Sequence, residues 1–569
     1  MAKTSYFGID LGTTYSAISF IDEMGQAAIV EHGWTQLVPS IVFFGSDGIV
    51  VGDAAREKGR NGGEEAQRVV SFAKRNMPMP QEGEDEFEVN GDKFSKIWEF
   101  DGKTYTPVDV SAEVLKKLAE NAKAAGQATI EKVAITCPAF FDDFARRRTK
   151  AAAVKGLGLA EENIMILEEP VAAALNYALE TGEDIKGKTF LVYDLGGGTF
   201  DITVLTVNEN NAEQTEYRVI CTEGNHYLGG GNWDEKIVDF FKEEFFTQTG
   251  MQYSIETADD VDEFHEADFL LRVDAERRKQ ELSDSNSVTQ TVRFNGQRAR
   301  VELTREKFDE LTSGLLDETF QLTDRVIELA KENKVKHFDA FLLVGGSTFM
   351  RQVPEGLAKK YAGEPALSGI EPIYHDPNKA VAKGAAKRAQ MASAQSVMGE
   401  ITDGKSSPAT PKQLEDGASK MGVSVTDFKK MIGSVVVNVC PESYGVMILK
   451  DRNAVEDNDK YQISNLVRKG ETRPAIGTDI YYPTYDGQSG VFIEIWENSS
   501  MEELVPLSES RIRPQQAYGY HDFDSPMKQT DGIKCELEVN DEGLFDLYVT
   551  DMRNGKRCHV TLENEKKIR

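Results

Sequence analysis

Two stretches of this chain carry one pattern. Tyr6-Phe7-Gly8-Ile9-Asp10-Leu11-Gly12-Thr13-Thr14, followed by Ala17-Ile18-Ser19-Phe20-Ile21, resembles Leu191-Val192-Tyr193-Asp194-Leu195-Gly196-Gly197-Gly198-Thr199, followed by Asp201-Ile202-Thr203-Val204-Leu205. Each reads as a strand, an Asp-Leu-Gly turn and a second strand. The turns lie 184 positions apart, far beyond the roughly 20–50 residues of a solenoid repeat. The duplication therefore predicts two similar half-domains facing one another. An Asp closing a strand, with Gly and Thr next to it, sets a carboxylate beside backbone N–H donors and hydroxyls, which together can hold phosphate oxygens and hydrated Mg²⁺. One such turn is as often a plain hairpin. Two in matched strand contexts shift the balance toward a binding site.

Up to about Arg388, short apolar strands alternate with amphipathic helices, the pattern of an α/β domain. One helix is predicted from Asp109 or Ser111, either as N-cap, through Val114, Leu115, Leu118 and Ala122 to Gly126 as C′ residue. Another follows Gly231, with Trp233, Ile237, Phe240, Phe241 and Phe245 on one face. Between Ala389 and Ser434 the texture changes to Ala, Ser, Gly and Lys, including Asp403–Pro408 and Pro411, which reads as a linker with a short helix near Val425 to Met431. Beyond it, Val435–Val439, Gly490–Trp496, Ile533–Val539 and Leu544–Val549 read as strands, with turns at Asn540–Gly543 and Asn554-Gly555 and a return through Lys556 to Leu562. The expected division is 1–388, a linker region 389–434, and a β domain 435–569, hence α/β plus all-β.

Charge narrows the partners. With 65 Lys+Arg against 95 Asp+Glu, the net charge of −30 repels phosphate backbones and anionic lipid, so neither nucleic acid nor a membrane is expected as partner. The five cysteines are widely spaced without a C-x-x-C pair, as incidental thiols of a reducing compartment would be. No stretch approaches the ~20 apolar residues of a membrane span. The N-terminus lacks a signal peptide's apolar region, and the expected location is cytoplasmic.

Two further Gly-rich elements follow apolar segments. Phe341-Leu342-Leu343-Val344-Gly345-Gly346-Ser347-Thr348 could approach a nucleotide closely, and Leu228-Gly229-Gly230-Gly231 opens the Trp233 helix, whose N-terminus would offer N–H groups to a phosphate. Either alone is more often a packing turn. A helix from about Asp268 to Asp284 gathers Glu276, Lys279, Gln280 and Ser283 on one narrow face, ordinarily a solvated one.

Together with Ile135-Thr136-Cys137-Pro138-Ala139-Phe140-Phe141-Asp142-Asp143, Arg146, Glu168-Glu169-Pro170-Val171-Ala172-Ala173-Ala174 and Asp376-Pro377 with Ala380-Val381-Ala382, these segments resemble, in order and spacing across about 1 to 388, the nucleotide-binding domain of the 70-kDa heat-shock (DnaK-type) chaperones. The resemblance implies an actin-like, two-lobed ATPase that takes ATP/ADP with Mg²⁺. It implies that Asp10 and Asp194 hold the metal, largely through water. Gly12, Thr13, Thr14, Tyr15, Gly197, Gly198 and Thr199 would line the phosphates, with Gly229 and Gly230 nearby. Lys74 would stabilise charge on the γ-phosphoryl group, and Glu169, Thr199 and Asp201 would serve the attacking water. Glu276, Lys279, Gln280, Ser283, Gly346, Ser347 and Thr348 would take the adenosine side. The family typically has Arg packing on adenine where this chain has Phe349, an aromatic ring that can stack on a base. Pro138 and Arg146 match the pair linked to signalling toward the second domain.

The C-terminal part resembles the family's β-sandwich substrate domain more weakly. Val435-Val436-Val437-Asn438 stands for the leucine-rich interdomain stretch, and the loops around Val467 to Pro483 carry Arg468, Lys469, Arg473, Tyr481 and Tyr482 where a peptide groove would be aliphatic. The expected function is a lidless ATP-dependent chaperone with fast peptide exchange. Its client would be an unfolded or a specific protein, and a J-domain co-chaperone and a nucleotide exchange factor would be its partners. The alternatives are an ATP-switched binder of one folded partner and, less well supported, a small-molecule kinase.

Overall fold

In the computed structural model, which describes residues 6–560 apart from 32–34, 79, 81–83, 91, 128, 182–184, 211–213, 403–408 and 508–512, the repeated segments are hairpins. Phe7–Asp10 pairs antiparallel with Tyr15–Ile21, and Lys188–Leu195 with Phe200–Glu209. Each hairpin sits at the centre of a sheet with the same plan. In the first, Val133–Cys137 lies parallel beside Phe7–Asp10 and Ile164–Glu168 lies parallel beside that. In the second, Ala340–Val344 and then Pro372–Tyr374 stand in the same relation to Lys188–Leu195. Antiparallel Ala27–Ile29 and Thr215–Asn225 extend the other side of each. The central strands are buried through consecutive residues, such as Phe190 to Tyr193, because helices cover both faces.

The helices largely follow the sequence pattern. Gly230–Thr249 buries Trp233, Ile237, Phe240, Phe241 and Phe245 as one stripe. The Asp109 helix starts earlier than expected, spanning Pro107–Ala124 with Thr106 as N-cap. Asp109 occupies the third helical position, where its carboxylate accepts the Thr106 N–H at 2.7 Å while its own N–H reaches the Thr106 hydroxyl at 3.3 Å. Two backbone donors satisfied in one capping box outweigh Asp109 or Ser111 acting alone.

The stretch read as a linker is folded. Ala380–Thr402 continues as one helix through the expected boundary, and Pro411–Met421 and Val425–Ile432 are helices in turn. Their apolar faces make a small core of Ala394, Met398, Ala418 and Phe428. The Ala and Lys that suggest flexible filler are both strong helix formers, and here that propensity prevails. Asp403–Pro408 lies outside the described residues. Ser434–Val437, expected to open the β domain, is the outermost strand of the second sheet, beside Thr215–Asn225.

Two compact units result, one of Met1–Met77, Ile97–Phe141 and Arg148–Val436, the other of Pro78–Lys96, Asp142–Arg147 and Val437–Arg569. The second unit contains a five-stranded and a four-stranded antiparallel sheet. Tyr444, Val446 and Ile495 of one sheet and Cys535, Leu537, Leu547 and Val549 of the other share one core, which makes a β-sandwich. Val539 faces Phe545 across the Asn540–Gly543 turn, and Asp551 faces Lys556 across Asn554-Gly555. The Val467 to Pro483 region is less loop than expected, because Ala475–Tyr481 is an edge strand on Ile533–Val539. Leu562 lies outside the described residues. The five cysteines are free, and four are buried.

Candidate active site

Both sheets of the first unit contribute to a cleft of about 720 Å³. The two hairpin turns meet there directly. A Cβ built on Gly197 would lie 2.2 Å from Thr14 Oγ1, and one on Gly198 would lie 2.3 Å from Thr13 Cγ2, so no larger residue fits at either point. The glycines that follow the second Asp-Leu turn are therefore what lets the threonines of the first approach.

Beneath the turns is a buried charge cluster. Lys74, in the short helix Ala73–Asn76, places Nζ 2.5 Å from Glu169 Oε1, the acid that opens the helix Glu169–Glu180. Burial works against the Lys74 ammonium, but the charges of Glu169 and Asp10 outweigh it and hold its pKa above the ordinary lysine value. Asp10 is pushed up to about 7 by burial and the Glu169 charge. Burial and the charges of Glu169, Asp201 and Asp10 carry Asp194 well above the usual carboxylate range. Asp201, directly opposite Asp194 in the hairpin, rises to about 8 through burial and Glu169 while accepting the Phe140 N–H at 3.2 Å. Acidic oxygens crowded out of water, next to threonine hydroxyls, are the donor chemistry of a hard divalent cation. The residues fit Mg²⁺ on that ground, although among the described residues no three His, Cys, Asp or Glu side chains are close enough to hold a metal directly.

At the mouth, Tyr15, Arg56 and Glu276 interlock. The Tyr15 hydroxyl donates to Glu276 Oε1 at 3.0 Å, Arg56 Nη2 donates to the same hydroxyl at 3.3 Å, and Arg56 pairs with Glu276 at 3.4 Å. Ser347 Oγ donates to the Gly196 carbonyl at 2.9 Å, which ties the Gly345-Gly346 loop to the second hairpin.

Of the residues singled out in the sequence, Asp10, Gly12, Thr13, Thr14, Tyr15, Lys74, Glu169, Asp194, Gly197, Thr199, Glu276, Lys279, Gln280, Ser283, Gly346, Ser347 and Phe349 line this cleft. Gly198, Asp201, Gly229, Gly230 and Thr348 stand outside its lining. The N–H groups of Gly230 and Gly231, expected to be open to phosphate, donate to the carbonyls of Gly196 and Gly197 at 2.9 and 2.8 Å. This helix start pins the second hairpin because the glycines bring its backbone against the turn. Thr348 is fully buried, with its hydroxyl donating to the Gly345 carbonyl at 2.7 Å. Lys279 does reach the cleft, but its ammonium pairs with Asp234 at 2.8 Å and donates to the Gly230 carbonyl at 2.8 Å.

Sequence reasoning missed several residues. Arg75 donates from Nε to the Gly198 carbonyl at 2.8 Å and from Nη2 to Asn232 Oδ1 at 2.7 Å, joining the Lys74 segment to the second hairpin. Asp234, Arg351, Tyr374 and Asn378 line the cleft, and Arg56 guards it. Adjacency to Lys74 was the only sequence signal for Arg75, and the others had none.

A sequence model of the family described as Hsp70 protein matches residues 6–403. Two ribosome-associated molecular chaperones of Saccharomyces cerevisiae are 29% and 30% identical to this chain, each match covering 98% of this chain and 81% of the relative. A heat shock protein of Pyricularia oryzae is 28% identical over the same shares. Duplicated hairpins, a cleft lined from both sheets, an appended β-sandwich and a family match over most of its length make this chain a member of the Hsp70 family of chaperones, and with that family it is an ATPase.

Proposed function

We propose that the cleft binds ATP with Mg²⁺ and hydrolyses it to ADP and phosphate, and that this cycle switches polypeptide binding by the β-sandwich unit. The observation that carries the reading is the buried Lys74–Glu169 pair under two glycine-rich turns in close apposition. In it, Gly12, Thr13, Thr14, Gly197 and Thr199 present backbone N–H groups and hydroxyls to the phosphates. Asp10 and Asp194 would hold Mg²⁺, which would supply positive charge against the phosphate oxygens. Lys74 stabilises the charge that develops on the transferred γ-phosphoryl group. Glu169 orients Lys74 and, with Asp201 behind it, polarises the attacking water. Tyr15 continues the phosphate-lining turn and donates to Glu276, and Glu276, Gln280, Ser283, Gly346, Ser347 and Phe349 hold the nucleoside end.

The relatives are chaperones by name, which supports a polypeptide client here. Their ribosome association is testable in this protein by co-sedimentation. With a net charge of −30 such docking would have to use protein contacts, since the long-range field opposes ribosomal RNA. A second reading, one folded partner instead of generic unfolded chains, is favoured by the exposed face of Ala475–Tyr481. Exposed Ile476 and Ile480 there pair across to Glu538 and Lys534, a mixed apolar and charged surface.

The test is ATP turnover with and without a panel of unfolded peptides, with Lys74→Ala as control. Slow turnover that rises with generic peptides supports the chaperone reading, and a rise only with one folded protein supports the second. A wild-type rate no higher than that of Lys74→Ala removes catalysis from both.

A further inference from the structure

A bulky ring is among the side chains least suited to a left-handed backbone, and it keeps one only where its surroundings force it. Asn90, Asp101, Asn295 and Asp376 adopt positive φ with short polar side chains that tolerate it, and Lys334 does so just past the end of the helix Arg305–Glu332. Phe72, at φ 57° and ψ 23°, has neither reason. It lies between the strand Val69–Val70 and the short helix Ala73–Asn76, two positions before Lys74.

Packing against the other half of the cleft holds it there. A Cβ built on Gly231 would lie 2.7 Å from Phe72 Cε1 and 3.0 Å from Cζ, so the ring rests on bare backbone at the start of the helix Gly230–Thr249. The Arg75 guanidinium covers the ring, 5.4 Å from its centroid, while it donates to Gly198 and Asn232. Gly231 is itself fixed, since its N–H donates to the Gly197 carbonyl at 2.8 Å. Both neighbours of the ring are thus tied to the turn that follows Asp194. Phe72 stands outside the cleft lining, so it can act only through Lys74.

We propose that Phe72 is a positioning residue for hydrolysis. Its ring, wedged between Gly231 and Arg75, fixes where Lys74 stands relative to the turn 196–199. This rests on the reading of Lys74 as the group that faces the γ-phosphoryl charge. Stabilisation of developing charge by a fixed ammonium depends steeply on its placement. ATP affinity is spread over many contacts that Phe72 does not touch. Loss of the ring therefore slows hydrolysis and spares binding.

The experiment measures ATP affinity by calorimetry and single-turnover hydrolysis of bound ATP, on the full chain with Mg²⁺. Phe72→Asn removes the ring and keeps a residue that tolerates positive φ. Phe72→Gly does the same with no side chain at all. Both should slow hydrolysis by about ten- to hundredfold and keep ATP affinity within about twofold of wild type. Gly231→Ala drives a methyl group into the ring and should slow hydrolysis by itself. The double variant Phe72→Asn with Gly231→Ala should be no slower than Phe72→Asn, because the methyl then has no ring to displace. Wild-type hydrolysis in both Phe72 variants overturns the proposal. A parallel fall in affinity and hydrolysis, which would mean a distorted cleft, overturns it too, as do losses that simply add in the double variant. Lys74→Ala is the reference: hydrolysis there as fast as in wild type removes the reading of Lys74, and the role of Phe72 with it.

Discussion

Lys74 Nζ stands 2.5 Å from Glu169 Oε1, and both side chains are almost completely buried. Deleting one partner of a buried pair strands the other charge at a cost of about 3–5 kcal/mol. Lys74→Ala should lower the unfolding free energy of the nucleotide-free protein by roughly that amount. The double variant Lys74→Ala with Glu169→Ala should recover part of it. ATP turnover in the single variant should fall by about 10²–10³, the usual loss when a group facing developing charge is removed. Denaturant melts and a phosphate-release assay check both. A Lys74→Ala protein as stable and as active as wild type would refute the assignment.

The Arg56, Tyr15 and Glu276 interlock should govern how fast a nucleotide leaves. Arg56 and Glu276 are 17% and 21% exposed, so their 3.4 Å pair is partly screened and contributes no more than about 1 kcal/mol. Arg56→Ala should therefore speed ADP release by about two- to fivefold. Single-turnover hydrolysis should stay unchanged, since Arg56 lies apart from the Lys74 and Glu169 pair. Stopped-flow release with a fluorescent ADP analogue reads this, and raising the salt should erase much of the difference.

The buried carboxyls set a pH dependence of known sign. Asp234 rises to about 6, Asp10 to about 7 and Asp201 to about 8, all chiefly through burial, from an ordinary value of 3.8. Between those limits the folded protein holds protons that the unfolded chain has released. Their contribution to stability is complete below the unfolded value and is lost as pH rises through the folded values. Thermal melts of the nucleotide-free protein should thus show stability falling from about pH 4 to about pH 8 on account of these groups. Mg²⁺ with ADP should flatten the slope, since a cation near Asp10 and Asp194 favours their charged forms. A slope of opposite sign that Mg²⁺ and ADP leave untouched would refute this placement of the acids.

Phe428 is fully buried in the small core shared by the helices Ala380–Thr402, Pro411–Met421 and Val425–Ile432. A Cβ on Gly417 would meet its ring at 2.3 Å. The end of this hairpin leads straight into the Ser434–Val437 strand. Ser434 Oγ donates to the Lys430 carbonyl at 2.8 Å, and Gln395 Nε2 reaches the Ser434 carbonyl at 2.6 Å. Phe428→Ala should cost this local unit about 3–5 kcal/mol. Hydrogen exchange should then show faster amides over 411–436 while the central strands of both sheets keep their protection.

The chain's local chemistry was enough to announce a duplicated Asp-Leu-Gly hairpin, an α/β first part and a β-rich second part. Seventeen of the residues that the family resemblance added to these patterns line one cleft. These features are written in short-range patterns: strand alternation, a glycine where a turn must be approached, an aromatic stripe at helical spacing. The structure alone decided how those pieces meet. Whether Gly230 and Gly231 face phosphate or hairpin depends on which carbonyls lie opposite, and those belong to Gly196 and Gly197, more than thirty positions away. Ala389 to Ser434 looks like a tether because of its Ala, Ser, Gly and Lys texture, and helix propensity together with packing of Phe428 against Ala394 and Met398 makes it a folded hairpin. Arg56 and Tyr374 were silent in the sequence, and Arg75 was marked only by its place beside Lys74, for the same reason. Their partners, Glu276, Gly198 and Phe349, are assembled by long-range contacts that periodicity does not encode.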